Sequence, residues 1–102
     1  MDSQSLTDGP DETLSAAVIL YVGKGRFPAP RKLSDEVLDT YGPAYVAQVR
    51  ALVREIEATQ VDWSAGLSAA STEATQRLAA NHPELSPDAL AALRWYVSYV
   101  WR

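Results

Sequence analysis

His82 is the only imidazole in this 102-residue chain. It is therefore the one side chain whose ordinary titration range suits proton transfer near neutral pH. Its setting points elsewhere: it lies between Asn81 and Pro83 in a connection between two helices, where a histidine commonly meets the C-terminal carbonyls of the preceding helix. The carboxylates that could form an acid–base pair, Asp11 with Glu12 and Asp35 with Glu36, fall in the first turns of expected helices, as does the single Asp88. There the helix dipole already accounts for them. No nucleophile elbow, His-Glu-x-x-His zinc motif, phosphate-binding loop, calcium loop or dinucleotide fingerprint occurs. With no cysteine there is neither a disulfide framework nor a thiolate metal site, and one histidine is too few for most zinc geometries. The expectation is a non-enzymatic protein with no catalytic residue, cofactor or metal.

Two other groups of residues have the chemistry of binding. The first is Lys24, Arg26, Arg31 and Lys32, which concentrate four of the nine basic side chains in a nine-residue stretch without an acid. With Gly23 and Gly25 beside them, backbone N–H groups and cations together could cradle an anion, although Gly-x-Gly alone lacks the remaining glycine and the following helix of a specific phosphate loop. A solvated loop that balances the acidic helix starts is the simpler account.

The second group is on the last helix. With Leu90 set at 0°, Leu93, Val97, Val100 and Trp101 cluster between about −80° and +20°, a core face with Tyr96 at its edge. Trp95 and Tyr99 fall near 140° and 180°, on the far side, one turn apart. An ordinary surface helix would carry charge there. Either another part of the chain, such as the first helix or the Phe27-Pro28 segment, covers the pair, or it is an anchor for a partner, with Tyr96 beside it and Arg94, Ser98 and Arg102 as a polar rim.

The elements that position these residues follow from caps and periodicity. Asp8-Gly9-Pro10-Asp11-Glu12 marks a helix start with proline at the first helical position, running to about Val22. Leu14, Ala17, Val18 and Tyr21 have helical spacing, while Val18 to Val22 also has the β-branched and aromatic character of a strand; spacing favours helix. Gly23, Gly25 and the prolines at 28 and 30 then impose an extended loop. A short second helix follows, capped by Ser34, with Leu33 and Leu38 as a hydrophobic staple, and ends near Tyr41. The third, from Pro43 to about Thr59, sets Tyr45, Val49, Leu52, Val53 and Ile56 on one face and Arg50, Arg54 and Glu57 on the opposite one. Asp62 or Ser64 would cap a fourth helix, thin in large apolar residues and able to break near Ser71. Ser86 and Pro87 open a fifth that runs to the C-terminus.

The chain is thus expected to be an all-α bundle of four to five helices in a single domain over residues 9–102. The third and fifth helices would be its main core partners, after a flexible acidic tail at residues 1–8. An apolar fraction of 47% and 22% charged residues are ordinary for a globular domain. The longest apolar run, Ala16 to Val22, is far too short to span a bilayer and the N-terminus lacks a signal pattern, so a cytoplasmic location without membrane contact is expected. A net charge of −4 makes nucleic acid an unfavourable partner. Seven arginines against two lysines, with abundant alanine, suggest a GC-rich bacterial genome. The functional expectation is a small interaction module of the immunity, antitoxin or accessory type, binding another protein or a second copy of itself through the last helix. The alternative is an anion- or nucleic-acid-binding regulator using the loop at 23–32.

Overall fold

A computed structural model describes residues 11–101; the expected tail at 1–8 and Arg102 lie outside them. The described residues form five helices and no strand: α1 Glu12–Val22, α2 Ser34–Tyr41, α3 Pro43–Glu57, α4 Leu67–Asn81 and α5 Pro87–Val100. The all-α bundle is as the periodicity predicts, and Val18 to Val22 is helical.

The arrangement differs from expectation at its centre. The chief neighbours of α5 are α1 and α4, while α3 packs mainly on α2 and α1 and touches α5 less. Alpha-helix α1 is the reason. Leu14, Ala17, Val18, Tyr21 and Val22 are buried and Ile19 and Leu20 pack at the margin, so it is apolar around most of its circumference. A helix with no polar side is most stable in the middle, where both faces leave water. On α4, the small residues Ala70, Ser71 and Ala74 are buried and permit close approach to Ala89, Ala92 and Leu93 of α5.

Caps were only partly legible. Ser86 caps α5 as expected, its hydroxyl accepting from the Ala89 N–H at 3.1 Å. The cap of α1 is Asp11, which accepts from the Leu14 N–H at 2.9 Å, so this helix starts after the expected Pro10. Two more hydrogen bonds fix this end: the Asp11 N–H donates to the Glu84 carbonyl and the Ser86 N–H to the buried Ser15 hydroxyl. Ser34 does not cap α2. It is the first helical residue, and the Leu33 N–H is held by the Tyr21 carbonyl. Leu38 is 45% exposed, so the apolar anchor of α2 is Val37 rather than a Leu33–Leu38 staple. Helix α4 begins only after Gly66, and Asp62 instead closes a turn by accepting from the Ser64 N–H. It does not break at Ser71, whose hydroxyl bonds back to the Leu67 carbonyl within the helix.

The loop between α1 and α2 is tied down. Gly23 adopts a left-handed conformation at φ 79° and ends α1, and a Cβ there would meet the Phe27 ring at 2.8 Å. The Arg31 and Leu33 N–H groups donate to the carbonyls of Val22 and Tyr21, which brings Arg31 and Lys32 alongside the end of α1.

Candidate functional site

The buried arc of α5 is Ala89, Ala92, Leu93, Tyr96 and Val97. It is rotated by about 60° from the expected core face, toward Tyr96. Tyr96, expected at the edge of the core face and beside the partner-binding pair, is 2% exposed and its ring belongs to the core. Packing against both α1 and α4, rather than α3, sets this rotation. Its hydroxyl donates to Glu57 Oε2 at 2.5 Å. Burial first, and then the neighbouring carboxylate, push the Tyr96 pKa well above its ordinary value, so the phenol stays a donor.

Rotation of the core face moves Val100 and Trp101 off it. Val100 is 48% exposed; Trp101 is half-buried, edge-on to Trp63 at 5.2 Å between centroids, and Trp63 is itself 50% exposed. Trp95 and Tyr99 are half-buried, 5.7 Å apart and also edge-on. The Tyr99 hydroxyl donates to the Pro28 carbonyl at 3.2 Å, so the 27–30 segment covers part of that side. Arg94 does not sit with them; it is drawn across to α4, hydrogen-bonded to Thr72 and Ser68.

The basic loop is divided rather than gathered. Arg26 pairs with Glu36 at 2.6 Å, and Arg26 and Arg31 flank the Phe27 ring at 5.3 and 4.6 Å from its centroid. Lys24 is exposed. Arg31 and Lys32, by contrast, line a cleft of about 370 Å³ whose other walls are Ala29, Pro30, Glu57, Tyr96, Tyr99 and Val100. Parts of the two candidate groups thus meet: the end of the basic loop and the last turn of α5 share one concavity.

Lys32 and Glu57 also border a second cavity of about 270 Å³, together with Tyr21, Ser34, Val53, Arg50 and Arg54. Periodicity places Arg50 and Arg54 only on the wet face of α3. Nothing local in the sequence says that Lys32, eighteen positions before Arg50, folds across that face.

His82 is placed differently from both candidate groups. Its backbone N–H donates to the Leu78 and Ala79 carbonyls, but the ring does not cap the helix. Instead Nε2 meets Glu55 at 2.7 Å and Nδ1 meets Glu84 at 3.2 Å, while the Asn81 amide donates to the second Glu55 oxygen. Ionised carboxylates only accept, so both contacts are satisfied together by the imidazolium. Burial opposes that charge, the two carboxylates outweigh it, and the His82 pKa is raised. The His82 hydrogen bond in turn lowers that of Glu55. One imidazolium is shared by two carboxylates in this cluster, with the neutral Asn81 amide as a further donor. Among the described residues no group of three or more His, Cys, Asp or Glu side chains is arranged to hold a metal ion.

No family model, curated protein or solved structure matches the chain. No described helix is long and apolar enough to cross a membrane.

Proposed function

We propose that this chain is a non-enzymatic interaction protein that binds another protein through the surface around the last turn of α5. One observation carries the reading. Three large hydrophobic side chains are exposed among the described residues, and two of them, Trp63 and Val100, flank that turn, with Trp101 packed edge-on to Trp63. Single exposed apolar residues are common, but an exposed tryptophan beside a second half-buried one offers the large, rigid area that anchors interfaces. The cleft under Val100 and Tyr99 supplies a recess for a partner side chain, with Arg31 and Lys32 at its border. An acidic cytoplasmic bacterial protein of the immunity, antitoxin or accessory type is the role this reading suggests.

The test compares partner capture by the wild-type chain and by a Trp63→Ser/Val100→Ser variant, with light scattering at low and high concentration to recognise self-association. The reading expects loss of capture, or of the dimer, with helical circular dichroism retained, since an interface tryptophan commonly contributes about 2 kcal/mol or more. Undiminished capture by the folded variant would remove this surface from consideration.

A further inference from the structure

We propose that Lys32, Arg50 and Arg54 form a binding site for the phosphate group of a small phosphomonoester at the junction of α1, α2 and α3, with the apolar body of the ligand lying toward Pro30 and Tyr99. The cations lie beside the Trp63–Val100 surface and the ligand body would share its cleft, through Lys32 and Tyr99, but the phosphate site does not rest on the partner reading.

The argument begins with where the arginines of this acidic chain find partners. Arg26 pairs with Glu36, Arg77 with Glu73, Arg94 bonds Thr72 and Ser68, and Arg31 stacks on Phe27. Arg50 and Arg54 have no ion-pair or hydrogen-bond partner among the described residues, and both line the 270 Å³ cavity that Lys32 enters from the loop. The two arginines are one helical turn apart, a like-charge spacing that is unfavourable unless something offsets it.

An acid stands at hand and is withheld. Glu57 borders the same cavity three residues after Arg54, an ordinary spacing for an ion pair, yet its carboxylate accepts from the buried Tyr96 hydroxyl and makes no salt bridge with Arg54. The residues that line this cavity thus carry three positive charges and one negative, an excess of two, while Asp35 and Glu36 border Lys32 on another side.

Those features select the anion. A phosphomonoester carries nearly two negative charges at neutral pH on three strong acceptor oxygens, whereas a carboxylate has one charge on two. Guanidinium forks match adjacent phosphate oxygens and the lysine adds a compact charge. Ser34 and Tyr21 also line this cavity. The neighbouring cleft shares Lys32 and Glu57 with this cavity and is walled by Pro30 and Tyr99, so a planar or apolar group attached to the phosphate has a surface to lie on. A long polyanion is disfavoured, because the net charge of −4 repels it beyond the site.

The experiment is an amide chemical-shift titration of the full chain at low ionic strength with inorganic phosphate, phenyl phosphate, benzoate and a short oligothymidylate. Phenyl phosphate is expected to saturate, with shifts at Lys32, Arg50 and Arg54, more tightly than inorganic phosphate or benzoate. The Arg50→Gln/Arg54→Gln variant, with unchanged circular dichroism, should weaken it by about tenfold or more, as loss of charge-assisted hydrogen bonds does. Tyr99→Ala should erase the advantage of phenyl phosphate over inorganic phosphate while leaving the latter bound. Absence of saturation, or wild-type affinity in the double arginine variant, overturns the site. Equal binding of benzoate overturns the choice of phosphate, and tighter binding of the oligonucleotide overturns the small-ligand assignment. Equal loss of both phosphates in Tyr99→Ala overturns the placement of the body.

Discussion

On one side of α3, Glu55 meets His82 and Asn81, and His82 meets Glu84. On the other, Arg50 and Arg54 share a cavity with Lys32, while the carboxylate nearest to them is held by Tyr96. The same helix thus presents a cluster in which opposite charges satisfy one another and a cluster in which like charges are brought together. The first behaves as structure: its contacts link α3 to the α4–α5 connection. The second keeps an excess of positive charge that Glu57 offsets only in part and that an external anion can balance. Net charge conceals this contrast, since a chain of −4 still gathers three cations into one recess.

The largest expected effect comes from removing what both sides stand on. Ile56 is fully buried under α3, and Ile56→Ala should cost about 2–5 kcal/mol in urea unfolding, because the cavity left behind adds to the lost transfer energy. Both clusters would loosen together, seen as parallel loss of the His82 and Arg54 shift dispersion. Loss on one side alone would mean that α3 does not couple them.

Tyr96→Phe is next, and it bears on the contrast directly. The ring packing is conserved while the hydroxyl that holds Glu57 is removed, so stability should fall by about 1.5–3 kcal/mol, the usual net contribution of a hydrogen bond to a charged group. The released carboxylate then sits one turn from Arg54 and should pair with it, lowering affinity for phenyl phosphate. A stability loss with no change in that affinity would show that Glu57 does not govern the charge of the cavity.

The self-satisfied side should report itself through pH. His82 has its pKa raised above 6.5, so the stability it contributes is fully present below about pH 6.5 and is lost as pH rises through the folded value. Glu55 has its pKa lowered from 4.5, so its contribution is present above about pH 4.5 and is lost as pH falls through the folded value. The two windows overlap between these limits, where the pair is strongest. His82 is only partly buried and Glu55 largely solvated, so the amplitude should be below about 1 kcal/mol and should shrink with salt. Urea midpoints of the wild type and His82→Gln between pH 5 and 8 should converge at the alkaline end; parallel curves would contradict the cluster.

How much of this the sequence disclosed depends on the range of the interaction. Five helices, the Ser86–Pro87 start of α5 and the buried stripe of α3 were legible, because caps and 3.6-residue periodicity act between residues three or four apart. The central position of α1 was not, since its all-round apolarity gives no direction to a periodicity argument. The rotation of α5 toward Tyr96 was missed for a related reason: a helix with apolar residues at Leu90, Leu93, Trp95, Val97 and Tyr99 has several plausible core faces, and only its neighbours α1 and α4 choose among them. Arg31 and Lys32 stand out in the sequence because the stretch 24–32 has no acid. Their meeting with Tyr99 on one side and with Arg50 and Arg54 on the other depends on the return of the loop along α1, through hydrogen bonds from Arg31 to Val22 and Leu33 to Tyr21. Backbone pairing of that kind leaves no mark in residue type.

The smallest expected effect is also the one with an unusual sign. Replacing an arginine in a chain of net charge −4 increases the overall imbalance, and a simple charge count predicts destabilisation. Exposed charges further apart than about 8 Å are largely screened at physiological ionic strength, so that global contribution is weak. Arg50 and Arg54, with Cβ atoms about 5–6 Å apart at this spacing, lie inside the screening length, and such like-charge pairs cost about 0.2–0.5 kcal/mol. Glutamine has nearly the helix propensity of arginine, so Arg50→Gln isolates the repulsion. Arg54 is the poorer choice, because in the last turn of α3 it also gains from the helix dipole. Arg50→Gln should therefore raise the urea midpoint of the ligand-free protein by a few tenths of a kcal/mol, less at high salt, while weakening phenyl phosphate. A gain in stability coupled to a loss of affinity is the signature expected if these cations are held together for a ligand rather than for the fold, and a loss of both would place Arg50 among the residues that support the bundle.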